Sequence, residues 1–309
     1  KKGSNKMSKI GIIGIGHVGS HVASAILQQG LCDTLVLIDK DEKKAIAHGY
    51  DLVDASPYYP IQTKIKCNDY SELKDADIVV ISVAGSIVCE SRLKETQTSI
   101  ECCDEVIPLL LKSGFHGIVL SITNPCDIVA NYIALKTGLN VIGSGTTLDS
   151  SRLKTLIAIE LGINPNSVNA FMLGEHGDSQ FPYLSNANVC GKPISEFKLD
   201  LNKIVHQTRF RAVPIFDSKH CTEFGIGTCA AKLIKAILTD SKELLPVSYF
   251  VDNYGVNHVY LSLPCFVGKS GVISRPDLSF TNEELAQLLN CSNVSPLGLF
   301  RSILNPKFW

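Results

Sequence analysis

The chain of 309 residues lacks a surplus of either charge: 29 Lys and Arg stand against 30 Asp and Glu, a formal net charge of −1. A polyanion or an anionic membrane surface finds no general attraction here, so recognition of an anionic ligand falls to a few placed cations. No run of about 18 apolar residues occurs, and no membrane span is expected. Internal repeats, low-complexity tracts and a Pro- or Ser-rich linker are also missing. The 11 cysteines form no C-x-x-C pair, and the adjacent Cys102 and Cys103 suit neither an ordinary disulfide nor a zinc knuckle. Scattered thiols of this kind read as small buried hydrophobes in a reducing, cytoplasmic compartment. The opening "KKGSNK" lacks the apolar centre of a secretion signal and reads as an expression scar or frayed tail.

What is present is material for a core. With 45% hydrophobic and 19% charged residues, the chain has enough apolar side chains for two domain-sized units. In the first half, apolar runs alternate with stretches of helical spacing. "KIGIIGI" (9–15), "TLVLID" (34–39), "DIVVISV" (77–83), "GIVLSIT" (117–123) and "NVIGSG" (140–145) read as buried strands. Helices are expected at 17–30, 41–55, up to about 112, and 125–138. That alternation predicts an α/β architecture, a Rossmann-type doubly wound parallel sheet with helices on both faces. The second half changes rhythm, with helices expected at 150–162, near 223–240 and at 281–290, and strands at 246–251 and 257–267. It reads as an α+β unit, so the expected division is 7–145 and 146–309.

Gly14-x-Gly16-x-x-Gly19 lies between the first strand and the first helix, and Asp39 ends the next strand, 20 residues past Gly19. In that setting the glycines allow a tight turn and close backbone approach to a pyrophosphate, which the helix N-terminus attracts. Asp39 would accept hydrogen bonds from a ribose and repel a 2′-phosphate, which favours NAD over NADP. The plain alternative is a structural turn with a solvated aspartate.

Four further stretches complete the pattern: "CESRLKE" (89–95), "SITNPCD" (121–127), "TLDSSRL" (147–153) and "LGEHGDS" (173–179). With the glycine loop, they resemble the L-2-hydroxy-acid dehydrogenases of the lactate/malate dehydrogenase family. The resemblance extends over nearly the whole chain from Met7. Within the family the chain is similar to the L-2-hydroxyisocaproate dehydrogenases of lactobacilli, also in "GIIGIGHVGS" and "KSGFHGIVLSITNPCDIV". The resemblance implies reversible hydride transfer between NADH and a 2-oxo acid, no metal, and a homo-oligomer, dimer or tetramer.

It also implies roles. His176 is the acid–base group, suited because an unperturbed imidazole titrates near neutrality. Asp149 is its partner carboxylate; an Asp at that place could instead cap the helix expected at 150–162. Arg152, three residues on and on nearly the same helix face, grips the substrate carboxylate by two parallel hydrogen bonds. Arg92 polarises the reacting carbonyl beneath a closing loop of about 84–91. Asn124 contacts the nicotinamide ribose or the substrate oxygen, and Thr222 lines the substrate pocket. Gly14, Gly16, His17, Val18, Gly19 and Asp39 hold the cofactor, with Asn124.

The loop before Arg92 departs from the family pattern. Lactate enzymes usually carry a Gln there and malate enzymes an Arg, whereas "AGSIVCESR" offers Ser86, Ile87 and Val88. An uncharged, apolar lid suits larger, branched 2-oxo acids, so 2-oxoisocaproate-like substrates are the main expectation and pyruvate the alternative. Lys154 and Asn169 stand where fructose-1,6-bisphosphate-activated relatives place a cation and an imidazole, which weighs against such activation. Two other classes remain open: a non-catalytic NAD-binding protein, and an NAD- and metal-dependent glycosidase for which Cys126 would be a ligand.

Overall fold

The computed structural model describes residues 8–85, 92–256 and 258–294. The tail 1–6, Met7, Ser86, Ile87 and Val88 lie outside the described residues, and Arg92 is described only as the first residue of its helix.

The apolar runs of the first half form β1 (Lys9–Ile13), β2 (Thr34–Ile38), β4 (Ile78–Ile81), β5 (Ile118–Ser121) and β6 (Asn140–Gly143), with β3 (Lys64–Cys67) at the edge. Between them run α1 (His17–Gln28), α2 (Glu42–Asp54), α3 (Arg92–Lys112) and α4 (Cys126–Thr137). After β6 come α5 (Thr147–Leu161) and the short strands β7 (Val168–Asn169), β8 (Met172–Leu173), β9 (Phe181–Pro182), β10 (Asn188–Val189) and β11 (Lys192–Pro193). Then follow α6 (Leu201–Arg209), α7 (Ala212–Lys219), α8 (Phe224–Leu238), β12 (Glu243–Val251), β13 (Val259–Gly268), β14 (Gly271–Ser274) and α9 (Asn282–Val294).

Six strands pair in parallel in the order β6-β5-β4-β1-β2-β3, the doubly wound arrangement. The sheet does not stop there. β12 pairs antiparallel with β6 through Ser248 and Gly143, and β13 and β14 extend it to nine strands among the described residues. The position near 145 falls between β6 and α5, yet the sheet continues across it. Gly143 permits the junction, since an added Cβ would stand 2.8 Å from the Ser248 Cβ.

Both faces of the sheet are covered. On one, Ile10, Ile12, Leu35 and Val80 meet Val22 and Ile26 of α1 and Ala230 and Ile234 of α8. On the other, Ile13, Val36, Val79 and Val119 meet Cys103 and Ile107 of α3 and Ile128 of α4. A third cluster packs Leu153 and Ile157 of α5 against Val168, Met172 and Val189. The capping box expected at the last helix is present: Glu284 N–H donates to Thr281 Oγ1 at 3.2 Å and Thr281 N–H to Glu284 Oε2 at 3.0 Å. No helix among the described residues is long and apolar enough to cross a membrane, and the described cysteines are all free thiols.

Candidate active site

The parallel strands deliver their following loops to one edge: Gly14–Gly16 after β1, Asp39 after β2, Val83 and Ala84 after β4, and Asn124 after β5. Such an edge is where open α/β sheets bind ligands. A cleft of about 300 Å³ opens there, lined by Gly14, Gly16, Ile38, Asp39, Val83 and Val106 among others.

The three glycines answer different needs. Gly14 has φ +95°, and a Cβ would lie 2.4 Å from the Ser82 carbonyl oxygen. At Gly19 a Cβ would stand 1.9 Å from the Gly14 carbonyl oxygen, so glycine alone lets α1 pack against the loop. Gly16 faces open space, with only Lys44 Nζ within 4 Å, at 3.9 Å, and its wall of the cleft is bare backbone. It precedes α1 without any side-chain cap, and α1 carries no acidic residue in its first turn. The orphan N–H groups of that turn are free of side-chain caps, and the bare cradle fits the pyrophosphate of a dinucleotide. Asp39 is held ready beside it: Ile15 N–H donates to Oδ2 at 2.8 Å and Asp41 N–H to Oδ1 at 3.0 Å. Lys44 Nζ lies 3.7 Å from the same Oδ2, a cation that partly offsets the carboxylate's repulsion of a 2′-phosphate.

The second cluster is assembled from distant segments. β8 and β9 pair, Met172 with Pro182 and Leu173 with Phe181, and the turn between them carries His176. Gly174 has φ +90° and sits so close to Cys291 that a Cβ would meet its Sγ at 2.4 Å. Gly174 also exchanges both backbone hydrogen bonds with Ser262 of β13, at 2.9 and 2.8 Å. The conformation and packing of Gly174 thus exclude a side chain just before the Glu175-His176 pair.

From α5, Asp149 meets the turn. His176 Nδ1 is 2.6 Å from Asp149 Oδ2, and Arg152 Nη1 donates to Asp149 Oδ1 at 2.9 Å. The helix begins at Thr147 rather than near 150, with Thr146 at its cap, so Asp149 is a helical residue whose carboxylate is not spent on capping. Asp149 is 1% exposed, and burial alone would push its carboxyl up. The His176 imidazole and the Arg152 guanidinium outweigh that and hold it below the usual range.

Asp127 was not among the residues expected from sequence. Its Oδ2 accepts the His176 backbone N–H at 2.7 Å, tying the "NPCD" turn to the histidine turn. Burial pushes its carboxyl up to about 6, against the pull of the Ser248 hydroxyl and of that N–H. In the sequence Asp127 looks like an ordinary acidic residue in the first turn of α4, favourable to the helix dipole, so nothing local marks it. Asn124 heads the same turn and is exposed; its carbonyl accepts from Ser99 Oγ at 2.6 Å.

Not every expected residue joins this cluster. Thr222 is half-buried between α7 and α8, and its neighbours Cys221 and Glu223 face His17 at the start of α1. Lys154 lies over the Phe171 ring at 5.2 Å, and Asn169 is exposed on β7. Cys126 is buried, which pushes its thiol up to about 12, and the Gly145 N–H donates to its Sγ. That is the setting of an inert thiol and disfavours the glycosidase reading.

The doubly wound sheet, the bare glycine cradle and a carboxylate-backed imidazole define a dinucleotide-dependent oxidoreductase. Family models agree: residues 8–141 match the lactate/malate dehydrogenase NAD binding domain, and 146–294 match the lactate/malate dehydrogenase alpha/beta C-terminal domain. The chain belongs to the lactate/malate dehydrogenase family, NAD-dependent oxidoreductases acting on the CH–OH group of 2-hydroxy acids. It is 39% identical to an L-lactate dehydrogenase of Fusobacterium nucleatum subsp. nucleatum, over 85% of this chain and 87% of that one. The minor L-lactate dehydrogenase of Enterococcus mundtii superposes with a TM-score of 0.92 at 32% identity, covering 97% and 99% of the two chains. A lactate dehydrogenase from a Medee basin deep-sea metagenome library gives 0.90 at 35% identity, covering 95% and 98%. These relatives are named lactate dehydrogenases, so the narrower likeness to L-2-hydroxyisocaproate dehydrogenases gives way to the family as a whole.

Proposed function

We propose that this protein interconverts a small L-2-hydroxy acid and its 2-oxo acid, with L-lactate and pyruvate as the main pair. The observation that carries the reading is the Arg152–Asp149–His176 chain, with contacts of 2.9 and 2.6 Å around one buried carboxylate. Asp149 holds the Nδ1 proton, which leaves Nε2 to exchange the proton of the substrate hydroxyl. In the oxidation direction the hydroxyl proton goes to His176, and Asp149 balances the imidazolium. When bound, NAD supplies the acceptor for the hydride that leaves the substrate carbon. The remaining N–H groups of Arg152 receive the substrate carboxylate, and Arg92 the developing negative charge on the carbonyl oxygen. Asn124 serves substrate or ribose, and Thr222 the pocket wall. His17 and Val18 at the start of α1 join Gly14, Gly16, Gly19 and Asp39 in holding the dinucleotide. The halves 7–145 and 146–309 act as cofactor and substrate units.

Pyruvate is favoured by the names of the relatives. A branched-chain preference is the second reading, favoured by Ile87 and Val88 in place of the usual Gln or Arg. A cytoplasmic location fits the scattered thiols, and a dimer or tetramer fits the exposed Tyr50, Val53 and Tyr58 around α2. The test is His176→Asn: turnover should fall by about 10²–10⁴-fold while NADH still binds. Unchanged turnover would reject the reading. A panel of pyruvate, 2-oxoisocaproate and oxaloacetate separates the substrates, and highest kcat/KM on oxaloacetate would reject both assignments.

A further inference from the structure

One carboxylate oxygen away from the His176 cluster gathers several metal-binding groups. Cys221 Sγ donates to Glu223 Oε2 at 3.3 Å, and His17 Nδ1 lies 3.5 Å from the same oxygen. His21 Nδ1 is also 3.5 Å away, but it already donates to the His17 carbonyl at 2.8 Å. The donor atoms of His17, Cys221 and Glu223 all lie within 4.8 Å of one another.

The surroundings hold these groups in place. Lys219 Nζ takes the other carboxylate oxygen, Oε1, at 2.5 Å and leaves Oε2 facing the cluster. The Phe224 ring supports both sides, with Lys219 Nζ 4.0 Å from its centroid and the His21 ring edge-on at 4.7 Å. α8 comes so near α1 that a Cβ on Gly227 would stand 3.1 Å from the His21 backbone. The two segments that supply the donors are therefore held together by the core and not by the donors alone.

We infer that His17, Cys221 and Glu223 form a binding site for a borderline transition-metal cation of the zinc(II) class. Zinc bonds of about 2.0–2.3 Å in a tetrahedron place neighbouring ligand atoms roughly 3.3–3.7 Å apart. The contacts of 3.3 and 3.5 Å to Oε2 fall in that range. A mixed sulfur, nitrogen and oxygen set selects zinc or cobalt over magnesium or calcium. Glu223 is 9% exposed and His17 80% exposed, so the fourth position opens to solvent and takes water. The family resemblance implies no metal, and the sequence does not display this grouping, because its donors are split between residue 17 and residues 221–223. A bound ion joins the start of α1 to the turn before α8, beside the glycine loop.

The test is a cobalt(II) chloride titration of the full chain, free of dinucleotide, followed by absorption. One ion per chain should give thiolate-to-cobalt charge transfer and the visible bands of tetrahedral cobalt, and zinc chloride should erase them. Cys221→Ser should lose the charge-transfer band, and His17→Asn should bind at least about tenfold more weakly, both with circular dichroism unchanged. Absence of the band in the parent protein overturns the proposal and leaves a plain thiol–carboxylate hydrogen bond. Retention of the band in Cys221→Ser overturns it as well, because the ion then sits on another cysteine.

Discussion

The glycine loop and the histidine turn, the two regions proposed to take ligands, are built by opposite means. The loop at 14–19 works through backbone: the absence of three Cβ atoms creates the turn, the helix packing and the bare cleft wall. Its attraction for an anion comes from peptide dipoles, which do not titrate. The turn at 174–177 works through buried side chains, with Asp127 and Asp149 gripping it from two different helices. Those carboxylates do titrate, and burial acts on each of them. The contrast locates pH sensitivity in the second region and geometric intolerance in the first.

Four substitutions would break or sharpen that contrast. The largest effect is expected of Asp149→Asn, which removes the charge that in the proposed mechanism balances the imidazolium. We expect kcat to fall by about 10²–10⁴-fold, read by NADH absorbance, with NADH affinity unchanged. Next is Arg152→Lys. The parallel hydrogen bonds to a carboxylate are lost, and at about 1.5–3 kcal/mol for hydrogen bonds to a charged group kcat/KM should drop about 10–100-fold. A rise in KM larger than the fall in kcat would place Arg152 on the substrate carboxylate.

Gly19→Ala tests the backbone region. Its Cβ cannot coexist with the Gly14 carbonyl, so overpacking of about 1–3 kcal/mol should lower the melting temperature and weaken NADH binding together. A variant with parent-like NADH affinity would show that the loop is not the cradle. The smallest effect on turnover is expected of Asp127→Asn, which keeps an acceptor for the His176 N–H. Its signature is in stability. A carboxyl raised to about 6 keeps its proton in the folded state while the unfolded chain loses it nearer 4. The contribution of Asp127 to folding therefore falls as pH rises through that window, and in urea melts the stability of Asp127→Asn relative to the parent should rise between about pH 4 and 6. A constant difference would mean that Asp127 titrates normally.

Legibility in the sequence divides along the same line. The five buried strands of the first half and the glycine loop stood out because each is a contiguous run whose cause is local. The edge strand β3, "KIKC", did not: among the described residues it pairs with β2 alone, is partly exposed, and so alternates polar and apolar without a full apolar run. Nor did the short strands β7–β11, too brief for any period to show, or the pairing of β12 with β6, which no local pattern records. His176, Asp149 and Arg152 were legible from their motifs, although α5 begins three residues earlier than expected. Asp127 was hidden in a helix first turn, and the His17, Cys221 and Glu223 grouping was hidden by chain separation.

The sequence by itself determined the alternation of strand and helix, the glycine turn and the motif that carries His176, the histidine proposed to move the proton. Those depend on residues a few positions apart, where steric exclusion and helical or extended period act directly. Only the tertiary structure decided that the sheet runs on past β6, that two buried carboxylates hold the histidine turn, and that α1 meets the turn before α8. Each of these is a contact between segments brought together by burying a shared apolar surface, and no spacing along the chain encodes the distance.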